Sequence, residues 1–215
     1  SDTGGSVRVP AAFCGITGFK PTFGAITNDG TYPLAPSLDT LGVLAHSVAD
    51  CAAAFDVIRD RPGVPRSARG LQGARLAVIR NYVLNGLDGA VTHAFDAACA
   101  KLANAGAAIT PLLLPEIDEI PVLNKNGTMV MAEGYRALRD AITGREAECD
   151  PRVITRVAGG GRMTEADYIA IMTRRAQLQT AAAARLDSFD AYLMPSVAIV
   201  APMIAAVQDP EAYAA

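Results

Sequence analysis

Hydrophobic residues recur at helical spacing in several stretches of the chain, and two of these stretches open on a capping box. In the first, Ser47 is followed three residues later by Asp50, ahead of an apolar run from Cys51 to Ile58. Side chains of this kind satisfy main-chain N–H groups that have no partner in the first turn of a helix. The pattern therefore predicts a helix from about Ser47 to Arg59.

The middle of the chain alternates between compact apolar runs and an amphipathic stretch. Residues 74–79 and 107–114 have the length and apolar content of buried strands. Residues 88–105 carry apolar side chains at helical spacing, and this stretch stops at Gly106. A strand, a helix and a second strand in this order favour a parallel pair joined by a right-handed crossover.

The last part of the chain is predicted to be mostly helical. Residues 117–142 form one helical pattern, with an interruption near 124–127. A second capping box, at Thr164 and Asp167, opens a long helix that continues to about Leu186, and residues 191–195 form an apolar strand candidate. Because helices and strands alternate, the sequence indicates an α/β fold class.

Length and composition are those of a globular protein. The chain has 215 residues, of which 51% are hydrophobic and 19% are charged, and its formal net charge is −3. We expect 1–215 to be part of one domain, with a linker-like loop rich in proline and glycine over about 59–73. The sequence contains no basic run typical of nucleic-acid binding, and no apolar run approaches the roughly 20 residues of a transmembrane helix.

The four cysteines are widely spaced and do not form a zinc-ligand pattern, since the chain has only two histidines. We therefore expect no metal site. Cys14, Cys51 and Cys99 lie among apolar residues, which predicts reduced thiols that are buried in the core. Reduced, structural cysteines favour a cytoplasmic location.

Ser6 directly follows Gly4 and Gly5, ahead of a predicted short helix. Glycines permit tight turns in which successive main-chain N–H groups converge on one point and bind an anion. A hydroxyl beside such donors has the geometry of acyl transfer, which needs an oxygen nucleophile next to a pocket for the developing oxyanion. A flexible turn or a phosphate-binding loop fits the same three residues, so Gly-Gly-Ser alone leaves these alternatives open.

A longer string of residues narrows the choice. The segment SDTGGSVRVPAAFCG covers residues 1–15, and GFKPTFG at 18–24 and PLAPSLDTLG at 33–42 follow it. These segments closely resemble the signature region of the amidase-signature family, whose members carry the pattern D-[TI]-G-G-S-x-R-x-P-A-x-x-C-G. The close resemblance extends to Asp50, and the later part of the chain is similar more loosely. It implies a mixed β-sheet core surrounded by helices, here in incomplete form.

The resemblance also implies a catalytic apparatus, a Ser–cis-Ser–Lys triad in which Ser6 is the nucleophile that forms an acyl-enzyme. It implies that the oxyanion hole consists of the main-chain N–H groups of Thr3, Gly4, Gly5 and Ser6. No cofactor is implied, because a lysine that is neutral when buried can accept the serine proton.

The second serine and the lysine of the family's triad correspond to positions upstream of Ser1. We therefore expect the natural protein to begin before Ser1, where a targeting signal would also lie. The tail from Asp209 lacks the closing strand of the family, so we expect the natural protein to extend further there as well. The chain by itself is predicted to be inactive.

Asp2 and Arg8 flank the nucleophile in the signature. We interpret them as a charge pair that braces the loop by hydrogen bonds, because the polar main-chain groups of a buried glycine loop need partners. The alternative is a surface pair of little consequence. Asp39, in the family-like PSLDT segment, is expected to have a structural role near the site.

Other side chains could in principle replace the triad. His46 and His93 would allow a Ser-His-Asp arrangement, and Lys20 could act as a base, but the resemblance gives none of them a catalytic role. Lys20 also lacks the spacing of a Ser-x-x-Lys pair. Cys14 has no neighbouring base or charged group that would make it a nucleophile.

Three functions follow from these considerations. The leading hypothesis is an amidase that hydrolyses the carbon–nitrogen bond of a small-molecule linear amide. The second is the glutaminase (A) subunit of a tRNA-dependent amidotransferase, and the third is an inactive fragment or pseudo-enzyme. The hydrolase is favoured because the middle region has no strong glutaminase-subunit pattern. Neither nucleic acid nor a membrane is expected as a direct partner, and a homodimer is compatible with the resemblance.

Overall fold

The computed structural model describes residues 1–59 and 70–208. Its helices are α1 (Arg8–Cys14), α2 (Val48–Ile58), α3 (Gly89–Asn104), α4 (Pro115–Asp118), α5 (Ile120–Leu123), α6 (Met129–Ile142), α7 (Pro151–Gly159) and α8 (Glu165–Leu186). Its strands are β1 (Thr17–Phe19), β2 (Val43–Ala45), β3 (Arg75–Ile79), β4 (Ala108–Leu112) and β5 (Ala191–Leu193). Short 3₁₀ turns cover Glu146–Glu148, Gly160–Arg162 and Ile204–Val207.

The described residues form two compact units, and one of the points at which the chain passes from one to the other lies within α8. The first unit combines residues 1–59, 124–171 and 203–208, and the second combines 70–123 and 172–202. The prediction of a single domain remains a prediction. Most of the linker-like loop predicted over about 59–73 lies outside the described residues, as does the tail from Asp209.

In the first unit, α1 lies on a two-stranded antiparallel ribbon in which Gly18 of β1 is opposite Leu44 of β2. Val7 and Ala11 are buried, because they lie on the face of α1 and its entry turn that is turned towards the interior. Elsewhere in this unit α6 packs against α7 and the turn that follows α7. That turn contains Gly160, where an added Cβ would lie 1.8 Å from the carbonyl oxygen of Met131, so only glycine permits this close approach.

The second unit contains a three-stranded parallel sheet in the order β4-β3-β5. The central strand β3 is the apolar core of this unit, with Leu76, Ala77, Val78 and Ile79 all buried. The α/β fold class is thereby confirmed, with parallel pairing in one sheet and antiparallel pairing in the other. The predicted strand–helix–strand element is also confirmed, because β3 and β4 are parallel and α3 connects them.

The predicted capping boxes are confirmed. Ser47 Oγ accepts the Asp50 N–H at 3.1 Å at the start of α2, and Thr164 Oγ1 accepts the Asp167 N–H at 3.1 Å at the start of α8. The helical pattern over 117–142 is interrupted as predicted, and α6 begins after the break, with Thr128 as its N-cap. Helix α7, capped by Asp150, was not predicted.

The prediction of buried thiols is confirmed for Cys51 and was wrong for Cys14 and Cys99. Cys51 is buried, but Cys14 is the last residue of α1 and is exposed, and Cys99 and Cys149 are partly exposed. The apolar neighbours of Cys14 in sequence do not bury it, because α1 turns its other face to the interior. Within the described ranges, no helix is long and apolar enough to cross a membrane, and no group of three or more potential metal ligands is present.

Candidate active site around Ser6

Ser6 lies in a tight turn, residues 3–7, which we call the Ser6 turn. A main-chain bridge precedes the turn, since Asp2 N–H donates to Thr40 O at 2.7 Å and Thr40 N–H donates to Asp2 O at 3.2 Å. Helix α1 follows it. Ser6 is exposed, and its hydroxyl has no hydrogen-bond partner among the described residues. A hydroxyl placed in this way is open to solvent.

The carboxylate of Asp2 is the main organiser of the Ser6 turn. It is only 1% exposed, and it accepts main-chain N–H groups from Gly5 at 2.9 Å, Val7 at 3.2 Å and Arg8 at 3.4 Å. The Arg8 guanidinium adds a two-pronged contact, Nε to Oδ2 at 3.0 Å and Nη2 to Oδ1 at 2.9 Å. These bonds hold the backbone on both sides of Ser6 against one fixed group.

The same contacts lower the pKa of Asp2. Burial alone would raise this pKa, but the hydrogen bonds from Arg8 and Val7 and the charge of Arg8 outweigh burial and lower the pKa to about 2. Asp2 is therefore ionised across the whole physiological pH range. It supports the turn as a permanent acceptor and takes no part in proton transfer near neutrality.

The main-chain N–H groups of the Ser6 turn divide into two sets. The Gly5 N–H is donated to Asp2, whereas no described residue accepts a hydrogen bond from the N–H of Thr3, Gly4 or Ser6. Gly5 has a φ of +127°, a conformation that side chains with a Cβ rarely adopt, and an added Cβ would lie 3.0 Å from Val9 Cγ2. The glycine therefore permits a backbone shape that leaves three donors beside the serine without partners.

Asp39 contacts the start of the same turn. It is 6% exposed, and its Oδ1 accepts the hydroxyl of Thr3 at 2.5 Å. Its Oδ2 accepts the main-chain N–H groups of Leu34 at 2.9 Å and Ala35 at 3.0 Å. Asp39 thus joins the 34–39 segment to the residue that directly follows the Asp2–Thr40 bridge.

The residues considered as alternative bases are not joined to Ser6. Lys20 Nζ donates to the carbonyl oxygen of Pro21 at 2.7 Å, and His46 and His93 are exposed. Across the described part of the chain, no hydrogen bond connects any of these three side chains with Ser6. The structure therefore offers no direct support for a histidine-based or Lys20-based site.

Glu133 is a buried polar residue that the sequence did not reveal. It is 7% exposed, and it accepts the Ser37 N–H at 2.9 Å, the Ser37 hydroxyl, and the Tyr168 hydroxyl at 2.8 Å. Burial, followed by the hydrogen bond to Glu133 and its charge, raises the pKa of Tyr168. The sequence gives only a weak indication that Glu133 is buried, because a single carboxylate lies between Ala132 and Gly134, which are buried in α6. Glu133 ties the 34–39 segment to α6 and α8.

Comparisons with known proteins agree with the resemblance of residues 1–50 to the amidase-signature family. A family model described as Amidase matches residues 1–215. The chain is 35% identical to the 2-amino-5-chloromuconic acid deaminase of Comamonas testosteroni, in an alignment that covers 100% of this chain and 47% of that protein. It is 30% identical to the 1-carboxybiuret hydrolase subunit AtzE of Pseudomonas sp. (strain ADP), with coverage of 95% and 46%.

The chain also shares its fold with solved structures of amidases. A crystal structure of an amidase matches with a TM-score of 0.84 and 28% identity, covering 94% of this chain and 45% of that one. The chain spans about half the length of the curated relatives it matches. Sequence, fold and signature segment lead to one conclusion: the chain belongs to the amidase family, the amidase-signature enzymes.

Proposed function

We propose that this chain is the nucleophile-bearing part of an amidase that hydrolyses the carbon–nitrogen bond of a small, linear carboxamide through an acyl-enzyme on Ser6. One observation carries the proposal. An exposed hydroxyl without a partner lies in the same turn as three main-chain N–H groups that no described residue uses. Acyl transfer requires this combination, because the oxygen that attacks and the donors that hold the oxyanion must act on the same carbonyl.

In the proposed reaction, Ser6 Oγ attacks the amide carbonyl carbon, and the hydroxyl proton leaves to a base. Negative charge develops on the carbonyl oxygen, where the N–H groups of Thr3, Gly4 and Ser6 would receive it. The Gly5 N–H would have to be shared with Asp2 Oδ1, so the other three donors supply most of the stabilisation. Each such donor typically contributes about 3 kcal/mol to the transition state.

The amide C–N bond then breaks, and the amine or ammonia leaves with the proton from the base. Water attacks the acyl-enzyme carbonyl, the acid is released, and Ser6 regains its proton. The resemblance assigns the base to a lysine acting through a second serine, both at positions upstream of Ser1. Asp2 stays ionised throughout, because its pKa is about 2, and it holds the donors without exchanging protons.

The test is Ser6→Ala in the complete protein that contains this chain, with Ser188→Ala, at an exposed serine between α8 and β5, as the matched control. We expect Ser6→Ala to lower kcat by at least about 10³-fold, as loss of a nucleophile does. We also expect it to abolish labelling by a fluorophosphonate probe, while Ser188→Ala changes neither. Full activity and labelling of the Ser6→Ala variant would contradict the proposal.

The glutaminase alternative predicts a different result in the same assays. Release of ammonia from glutamine only in the presence of a co-purifying second subunit would favour it. Hydrolysis of simple carboxamides by the protein alone would favour the amidase.

A further inference from the structure

Asp39 is a buried carboxylate whose hydrogen-bond partners are all neutral groups. Within the described residues it forms no ion pair, and its two oxygens accept the Thr3 hydroxyl and the N–H groups of Leu34 and Ala35. Its own main chain is also held, since Asn28 Nδ2 donates to Asp39 O at 2.8 Å and Asp39 N–H donates to Ala35 O at 2.8 Å. A group fixed by so many bonds has a single defined position.

The hydrogen bond between Thr3 and Asp39 lies directly beyond the main-chain pairing of Asp2 with Thr40. Asp2 and Thr40 are joined by two backbone hydrogen bonds, but Thr3 forms none with the 34–40 segment. The contact between Thr3 Oγ1 and Asp39 Oδ1 extends the connection by one residue, towards Ser6. The Ser6 turn is therefore attached at its first residue through a side chain.

This mode of attachment has a chemical consequence. Asp2 and Thr40 are a hydrogen-bonded antiparallel pair, so the next residue, Thr3, directs its N–H away from the 34–40 segment, and this N–H is one of the three donors without a partner. A bond through Oγ1 fixes the orientation of Thr3 and leaves its N–H available. An ionised carboxylate can only accept hydrogen bonds, so it orients the Thr3 hydroxyl as a donor.

We propose that Asp39 is a positioning residue for acyl transfer at Ser6, and that it acts through the hydroxyl of Thr3 on the direction of the Thr3 and Gly4 N–H groups. This inference rests on the proposed function. Asp39 touches no reacting atom in this scheme. Its effect is on the geometry of the donors, which must meet the oxyanion to within a fraction of an ångström.

The experiment uses Thr3→Val, Thr3→Ser and Asp39→Asn in the complete protein. Valine has the shape of threonine without the hydroxyl, and serine restores the hydroxyl. We expect Thr3→Val to lower kcat about tenfold, within the range that small displacements of a reacting group cost, with KM within about twofold of the wild type. We expect Thr3→Ser to recover most of the lost kcat.

Coupling between the two residues supplies a second measurement. If Asp39 acts through Thr3, Thr3→Val should lower kcat much less in an Asp39→Asn background than in the wild type. Should Asp39→Asn fail to fold, the comparison of Thr3→Val with Thr3→Ser still decides the question.

The chain contains a matched control. Thr164 Oγ1 donates to Asp167 Oδ2 at 2.5 Å in the capping box of α8, the same hydroxyl–carboxylate pair at an exposed position. Thr164→Val should lower the melting temperature and leave kcat unchanged, as expected for a purely structural bond. Thr3→Val should instead lower kcat even where the protein is fully folded.

Two results separate this inference from the proposed function. If Ser6→Ala abolishes activity but Thr3→Val keeps the wild-type kcat, the positioning role of Asp39 is overturned and the amidase proposal stands. If Ser6→Ala remains active, the proposed function itself is wrong.

Discussion

At the scale of single residues, two carboxylates from different parts of the chain hold the Ser6 turn. Asp2 binds N–H groups on both sides of Ser6, and Asp39 binds the Thr3 side chain at the start of the turn. Both accept hydrogen bonds without taking the N–H groups of Thr3, Gly4 and Ser6. The turn is consequently held at several points while three of its donors have no partner, as the proposed oxyanion role requires.

The depressed pKa of Asp2 predicts how stability depends on pH. A carboxyl group whose pKa is lower in the folded state stabilises the protein above its unfolded pKa, near 3.8, and this contribution is lost as the pH falls through about 2. The shift corresponds to about 2 kcal/mol of unfolding free energy at pH 6, and roughly half of that remains at pH 3. Urea unfolding of the wild type and of Asp2→Asn between pH 6 and pH 3 measures this contribution to the unfolding free energy.

In that comparison, the difference between the wild type and Asp2→Asn should shrink as the pH falls. Asp187→Asn is the control, since Asp187 is exposed and its carboxylate has no hydrogen-bond or ion-pair partner among the described residues. A difference for Asp2→Asn that does not change with pH would show that the ionised form of Asp2 is not what stabilises the turn.

Gly5 predicts a second effect at this scale. Gly5→Ala combines an unfavourable φ with a contact of 3.0 Å to Val9 Cγ2, so we expect a loss of about 2 kcal/mol in unfolding free energy. Gly4→Ala meets no atom within 4 Å and has no left-handed φ, whereas Gly15→Ala tests a left-handed φ without a contact. Chemical denaturation should rank the losses as Gly5, then Gly15, then Gly4, and equal losses for Gly4 and Gly5 would contradict the account.

At the scale of elements, capping chemistry made helix starts predictable, whereas burial of charge was not predictable. The starts of α2 and α8 follow from Ser47 and Thr164, because a cap is a local interaction between residues three apart. Strands β1 and β2 have three residues each, too few for an alternating pattern to stand out among glycines and prolines. Helix α7 was missed although Asp150 and Pro151 form a typical helix start.

Glu133 could not be predicted because its partners are distant in sequence. Ser37 and Tyr168 lie 96 and 35 residues away, and a carboxylate in a helix is usually on the surface. By contrast, Asp2 and Arg8 are six residues apart, so the short signature already contains their contact. Local patterns thus specify the immediate surroundings of Ser6, whereas the anchoring of the 34–39 segment requires the folded structure.

The Glu133 contacts predict a measurable coupling between α6 and α8. Tyr168→Phe removes a hydrogen bond to a buried carboxylate, so we expect a loss of about 1–2 kcal/mol in unfolding free energy. Tyr32→Phe is the matched control, because Tyr32 is exposed and its hydroxyl has no partner in the described ranges. Chemical denaturation of both variants tests this, and equal stabilities would show that the Tyr168 bond contributes nothing.

At the scale of the whole molecule, the sheet of the second unit has one well-covered strand and two open ones. Strand β3 is buried, whereas β4 and β5 are partly exposed, and within the described residues neither has a further strand beside it. Large apolar side chains are also exposed in this unit, among them Leu113, Val122 and Tyr192. Open strand edges next to exposed apolar groups favour association between chains.

We therefore expect the 215-residue chain, produced by itself, to self-associate. Light scattering after size-exclusion chromatography should give a mass that rises with protein concentration, and Leu113→Lys should reduce this rise. Ala181→Lys, which adds the same charge at an exposed position of α8, is the control. A monodisperse monomer at all concentrations would contradict the expectation.

The bond between Thr3 and Asp39 also bears on the order in which the protein folds. It closes a loop of 36 residues, whereas the bond between Ser37 and Glu133 closes one of 96. Loop-closure entropy makes the shorter closure more favourable by about 0.9 kcal/mol. The surroundings of Ser6 can thus assemble within residues 1–40, before α6 has joined them.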